Sequence, residues 1–287
     1  MSSLIIVNQT NIVAGSTNTY EYKFPQGSAR FENSEIGIAS AIIPYSFYNI
    51  TSAYMNQTLS LKFPITDGTS TSTVAITIPA GFYTLSQLNS YLQSVMISNG
   101  FYLVNAAGSN VYYIELVANV QLGTVQLNAY IVPNTVPSGW SNPGSWSLPS
   151  SGSRVPQLIT DANNFSDLIG FVRSTTFPST MTQSGTYSTT SSYEPQISPV
   201  SSLLLGCNLV DNKLCSPNSI ISSIPINTTF GSQITFNPNE YIWLPILDGQ
   251  YPSLVLSLYD QLANPLNATD TNSINLLIIR ERSNNHR

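Results

Sequence analysis

The chain has 287 residues, with 9 basic and 14 acidic side chains, a charged fraction of 8% and a net charge of −5. An average soluble domain is about 25% charged. Polarity here comes instead from Ser, Thr, Asn and Gln, which lose less on desolvation than charges do, and that favours assembly into a larger object over a free monomer. The acidic balance excludes a strong nucleic-acid or membrane-surface footprint.

In chain order, three strand-like runs come first: Leu4–Val7, Thr17–Phe24 and Glu35–Ile43. Each is short, rich in β-branched and aromatic residues, and bounded by turn formers. Met1–Val7 lacks a charged start and a long apolar stretch, so no signal peptide is expected, and the product is expected to be intracellular. No apolar run has the length of a membrane span.

The middle block, 49–197, has a different texture. Two strands, Leu59–Ile65 and Thr73–Ile78, flank the turn segment Thr66–Ser72. Thr84 is placed as an N-cap with Gln87 as its capping-box partner. Leu85, Leu88, Leu92, Val95 and Met96 then repeat at helical spacing, and Gly100 is a stop signal. Strands are expected at Phe101–Asn105, Val111–Val117 and Thr124–Val132. Pro133–Pro156 reads as a loop holding Trp140 and Trp146, Asn163–Phe171 as a helical turn, and Pro178–Pro199 as a linker or long surface loop.

Five strand-like runs close the chain: Ser201–Leu209, Ile220–Ile224, Gly231–Phe236 running on into Tyr241–Ile246, Leu254–Tyr259 and Ile274–Arg280. Three plus five is the strand count of one eight-stranded jelly roll. The expected fold is therefore mainly β: a single jelly-roll sandwich, residues 1–48 and 198–287, with a small α+β insertion domain, 49–197, between its third and fourth strands.

The chemistry of catalysis is thin. The single histidine, His286, sits in the tail, which removes most nucleophile–histidine machinery and most metal sites. No phosphate-binding glycine loop or nucleophile elbow is present. Asp161 with Asp167, or Asp248 with Asp260, are carboxylate candidates only because acids are scarce. Asp248 lies in an Asp-Gly turn, and Asp260 and Asp270 end strands. Cys207 and Cys215, spaced C-x7-C, do not form a zinc pattern. Cys207 lies in an apolar strand and reads as a buried thiol, and a bridge between the two cannot be read from the sequence. The expectation is a non-enzyme with no cofactor and no metal.

The segment Ser201–Asn212 (SSLLLGCNLVDN) and the run Phe230–Leu266 carry a recognisable pattern. It is a strand with Cys-Asn, then Phe-Gly, an aromatic–Pro strand, and Gly-x-Tyr leading into a strand ending Tyr-Asp-Gln. This resembles the penton, or minor capsid, proteins of virophages and polinton-like viruses. The early strands, Glu35–Tyr48 running into AIIPYSFYNI, and the motif GFYTLSQLN match more loosely. The resemblance implies a jelly roll that assembles as a homopentamer at the vertices of an icosahedral capsid. The rest of that capsid would be built mainly from a separate major capsid protein. It also implies location in the virion, production in the host cytoplasm, and termini toward the capsid interior.

Two pairs of residues are candidates for contact. Trp140 and Trp146 could meet a host receptor or glycan, since jelly rolls are also lectin folds and a carbohydrate- or receptor-binding module is the alternative function. The same two side chains could instead pin their loop to its own domain. Arg282 and Arg287, in a tail with one acid among three arginines, could meet packaged DNA weakly or a neighbouring capsomer. The bland alternative is a solvated end.

Overall fold

In this computed structural model the described residues are 2–66, 70–198 and 200–282. The chain divides into two compact units, Met1–Tyr48 with Val200–Arg287, and Asn49–Pro199. Residues 67–69 of the expected turn at 66–72 lie outside the described residues, as do His286 and Arg287.

The first unit contains eight principal strands: β1 (Ser2–Asn8), β2 (Thr19–Lys23), β3 (Ser34–Pro44), β4 (Ser202–Cys207), β5 (Ile220–Pro225), β6 (Gln233–Phe236), β7 (Ser253–Asp260) and β8 (Ile274–Glu281). One sheet has the order β1-β8-β3-β6 and the other β5-β4-β7-β2, with every pairing antiparallel. This is the strand order of a jelly roll. The inner faces follow from alternation. On β7, Leu254, Leu256 and Leu258 are buried while Val255, Ser257 and Tyr259 are half-exposed. On β8, Leu277 and Ile279 are buried. On β3 the buried set changes parity, from Ile36 and Ile38 to Ala41 and Ile43. A bulge explains the change: Leu277 pairs with Ile38 but Leu276 pairs with Ser40, so β3 carries one extra residue there.

The expected continuous strand from Gly231 to Ile246 is interrupted. β6 ends at Phe236; Leu244–Pro245 pairs again at the other end of β3, against Ile36 and Glu35, and Ile246 bridges to Val210. Asn237-Pro238 falls at the break, where proline supplies no backbone donor for a ladder. Ala29–Phe31 and Gly249–Tyr251 form a further two-stranded ribbon.

The second unit has its own core. Its helices are α1 (Leu85–Ser98) and α2 (Phe165–Ile169). The Thr84 side chain accepts from the Gln87 backbone N–H, and the Gln87 side chain accepts from that of Thr84. These bonds satisfy two donors that a helix start leaves free. Gly100 ends the helix at φ +76°, and a Cβ there would stand 2.5 Å from the carbonyl oxygen of Gly144. The buried stripe Leu88, Leu92 and Met96 joins a cluster with Leu59, Leu61 and Phe63. Thr58–Pro64 pairs with Thr71–Thr77 on one side and Gln157–Thr160 on the other, and Thr175–Phe177 adds a fourth strand. Ile114–Asn119, Thr124–Ala129 and Tyr187–Thr190 form a three-stranded sheet.

Three findings here correct the sequence expectation. Pro178–Pro199 is not simply a linker, because Tyr187–Thr190 pairs with Thr124–Ala129 and the Ser191 hydroxyl accepts from the Val125 backbone N–H. Gln157–Thr160 and Thr175–Phe177 are strands in segments too short for a period to show. The expected strand Val111–Val117 is broken at Tyr112–Tyr113. The two ends of the unit are tied together: the Asn49 side-chain amide donates to the Ile197 carbonyl at 2.7 Å and to the Tyr83 carbonyl at 2.8 Å.

Candidate functional site

Trp146 is 4% exposed. Its indole N–H donates to the Pro64 carbonyl at 3.1 Å, and its ring meets those of Phe63, Phe101 and Tyr113 edge-on at 5.5–5.9 Å. Phe63 and Phe101 are themselves stacked at 4.3 Å. Asn142 fixes the loop by accepting from the Trp146 backbone N–H and donating to its carbonyl, both at 2.9 Å. An indole with its donor used and its faces covered cannot contact a receptor or glycan, so Trp146 is withdrawn from that role. Trp140 is half-buried against the same cluster. The loop is pinned to its own unit.

The tail candidates separate. Arg282 is exposed, and its backbone N–H donates to the Asn33 carbonyl. Arg287 lies outside the described residues. Arg280 is structural: its guanidinium donates to Glu35, its register partner on β3, and stacks 3.8 Å from the ring centroid of Trp243. Trp243 was not singled out in the sequence. Its only signal there is an arginine and a glycine far away in the chain.

The carboxylates serve turns. Asp260 is buried; one oxygen accepts from the backbone N–H groups of Leu262 and Asn264, and the other from the Asn264 side chain. Asp248 accepts from the Asn33 N–H, and Asp270 from that of Asn272. Asp167 is held by Arg173. Among the described residues, no group of three His, Cys, Asp or Glu side chains could hold a metal ion. Cys207 and Cys215 are both free. Burial pushes the Cys207 thiol up to about 12, against a smaller lowering by the Leu209 backbone. A hollow of about 610 Å³ lies where β1 and β3 end and β6 and β8 begin, lined by Asn8, Thr10, Tyr45, Ser232, Asp270 and Ser273 among others. Most of its lining side chains are neutral and polar, with Pro44, Tyr45 and Ile274 supplying apolar wall.

The outer side of the first sheet differs from an ordinary solvated face. Leu4 and Ile6 on β1 stand opposite Ile278 and Leu276 on β8, and Ile274 stands opposite Ile42 on β3. Leu4, Ile6 and Ile274 are 58%, 49% and 42% exposed. Near the far edge of the same sheet, Trp243 packs over Gly37, where a Cβ would meet its ring at 3.4 Å. Just before it, Tyr241 and Ile242 are 48% and 68% exposed.

Comparison with solved structures finds likeness along the whole length. The mavirus penton protein aligns over 98% of both chains at 10% identity with a TM-score of 0.47. The chain is similar to a virophage penton protein. A chain of the Sputnik virophage, from its cryo-EM structure, aligns over 100% of this chain and 99% of its own at 13% identity with a TM-score of 0.41. No family model and no curated protein matches the sequence.

Proposed function

We propose that this chain is a structural capsid protein that forms homopentameric vertices of an icosahedral virion. The observation that carries this is the architecture: an eight-stranded jelly roll whose third-to-fourth connection holds a separately cored unit with its ends tied by Asn49 and Ile197. A frame of that kind carries a second folded body on a single connection between two of its strands. The charged fraction of 8% supports the same reading, because neutral polar side chains suit wet, reversible contacts between subunits. So does the penton-like pattern of the last third.

In this reading each subunit meets its sisters through unlike surfaces, as closed cyclic symmetry requires. The remaining partner is the major capsid protein of the same virus. The decisive experiment is light scattering after gel filtration, with class averages from negative-stain images. Five-fold rings are expected, and a tight dimer or trimer at high concentration would sink the proposal. The tail is proposed to face the particle interior. Replacing Arg282 and Arg287 with Ser should leave the melting temperature nearly unchanged and reduce incorporation into particles. Normal incorporation across a salt series would make the tail a solvated end.

A further inference from the structure

The hollow of about 610 Å³ falls within the ~300–1,000 Å³ range of small-ligand sites. It opens at one end of the first sheet, where Asn8 on β1 stands opposite Ile274 on β8, and Gln233 on β6 opposite Pro44 on β3. The exposed Ile274 is an apolar pad in its wall. The same wall carries the amides of Asn8, Gln9, Gln233 and Asn272 and the carboxylate of Asp270. Among the described residues the amides of Gln9, Gln233 and Asn272 have no hydrogen-bond partner, and Asp270 spends one carboxylate oxygen on the Asn272 backbone N–H. The backbone beside them is closed on itself. The Tyr45 N–H donates to the Ser232 carbonyl and the Gly231 N–H to the Tyr45 carbonyl. The Ser46 hydroxyl accepts from the Asp270 N–H and donates to the Asp270 carbonyl. The N–H groups of Asn8 and Thr10 are taken by the side chains of Asn11 and Asn8. These bonds fix the wall before a ligand arrives.

We propose that this hollow binds a neutral saccharide unit of a glycan. Among the described residues no Lys or Arg lines it and one carboxylate does, which repels an anion. One carboxylate is also too little for a hard cation, which takes about six to eight oxygens. A lipid tail would meet a wall that is mostly polar. A peptide strand docks by backbone pairing, and the backbone here is already spent. A saccharide remains. Its hydroxyls both give and take hydrogen bonds, as primary amides do, and its C–H face suits the Ile274 pad. In the capsid reading above, the hollow faces outward. β8 begins at Ile274 in the hollow and ends at Glu281, beside the tail proposed to face the interior. The outward placement rests on that reading, and the binding chemistry does not.

The test uses the full chain on an array of neutral, sialylated and sulfated glycans, followed by titration of the retained saccharide by NMR. An array carries many copies, so weak single-site binding is read as avidity. Neutral glycans should be retained, and one saccharide unit of about twelve heavy atoms should bind with a dissociation constant on the order of 1 mM. Gln233→Ala with Asn272→Ala removes side chains that hold nothing else, so the melting temperature should stay unchanged while binding weakens at least about tenfold. Retention of charged glycans alone overturns the proposal, as does an array with no signal. Binding that survives the double variant and is lost in Trp140→Ala overturns it by moving the site to the insertion. Capture of peptides in place of glycans overturns it in favour of a peptide site. Five-fold rings that retain no glycan overturn the site and leave the capsid reading standing. Glycan binding by a chain that forms a tight dimer supports the site and removes the pentamer. Binding by single chains and not by rings supports the site and removes its outward placement.

Discussion

Fifteen of the 23 charged residues lie in the jelly-roll unit, and the longer insertion of 151 residues has only eight. The cores differ in kind as well. In the jelly roll, aliphatic residues alternate along strands of up to eleven residues, held in long registered ladders. In the insertion, strands of two to seven residues and one long helix surround a cluster of rings, with Trp146 at right angles to the stacked Phe63 and Phe101. One unit is ordered by a repeating pattern along the chain. The other is ordered by a few large side chains gathered from distant segments. The difference predicts that damage to the first spreads along a sheet, while damage to the second concentrates at single anchors.

The sharpest way to break the comparison is Trp146→Ala. Removing a buried indole from a packed cluster costs ~3–5 kcal/mol, so the insertion's thermal transition should drop well below that of the jelly roll in calorimetry. A single transition that shifts as a whole would show that the two units melt together.

The jelly-roll counterpart is Asp260→Ala. It strips a buried acceptor from two backbone donors and one side-chain amide. The cost should be about 1–3 kcal/mol, read as a lower denaturant midpoint for the jelly-roll transition with the insertion's transition unmoved. Equal shifts in both would erase the distinction.

Alkaline titration sharpens it further. In the insertion, burial pushes the Tyr113 hydroxyl up to about 12, and the Glu115 carboxylate, with burial, does the same for Tyr130. In the jelly roll, burial also raises Tyr20. Each folded value lies above the unfolded value near 10, so this stability is fully present below pH 10 and is lost as pH rises toward 12. The insertion, with two such groups, should lose its fold first. Ultraviolet absorbance of tyrosinate during a pH jump measures the order.

The smallest effect is expected from Thr84→Ala, which removes half of the capping box. About 1 kcal/mol should be lost from the insertion alone, measured by urea unfolding followed by circular dichroism.

How much was legible in the sequence follows the same division. The eight principal strands begin within a few residues of the runs LIIV, TNTYEYKF, EIGIASAII and their five later counterparts, because each run is short, rich in β-branched and aromatic residues and bounded by turn formers. Helix α1 was legible down to its cap, since Thr84, Gln87, the leucine stripe and Gly100 are all local signals. Gln157–Thr160 and Tyr187–Thr190 were not. They are four residues long, and their pairing depends on partners such as Leu61 and Leu127 far away in the chain. Trp146 misled for a related reason: its neighbours in sequence are Ser, Pro and Gly, while its neighbours in space are Phe63, Phe101 and Tyr113. The outward-facing Leu4 and Ile6 read only as part of an apolar run, because a run of four does not say which residues face the core.

The two thiols lie eight residues apart and live in opposite chemical worlds. Cys207 is sealed at 1% exposure with its proton held to about pH 12, so it offers no thiolate to a reagent at neutral pH. Cys215 is exposed and unbridged. Each subunit therefore presents one addressable sulfur without any engineering. A maleimide dye or a gold cluster would attach once per chain, and counting labels per particle would count subunits.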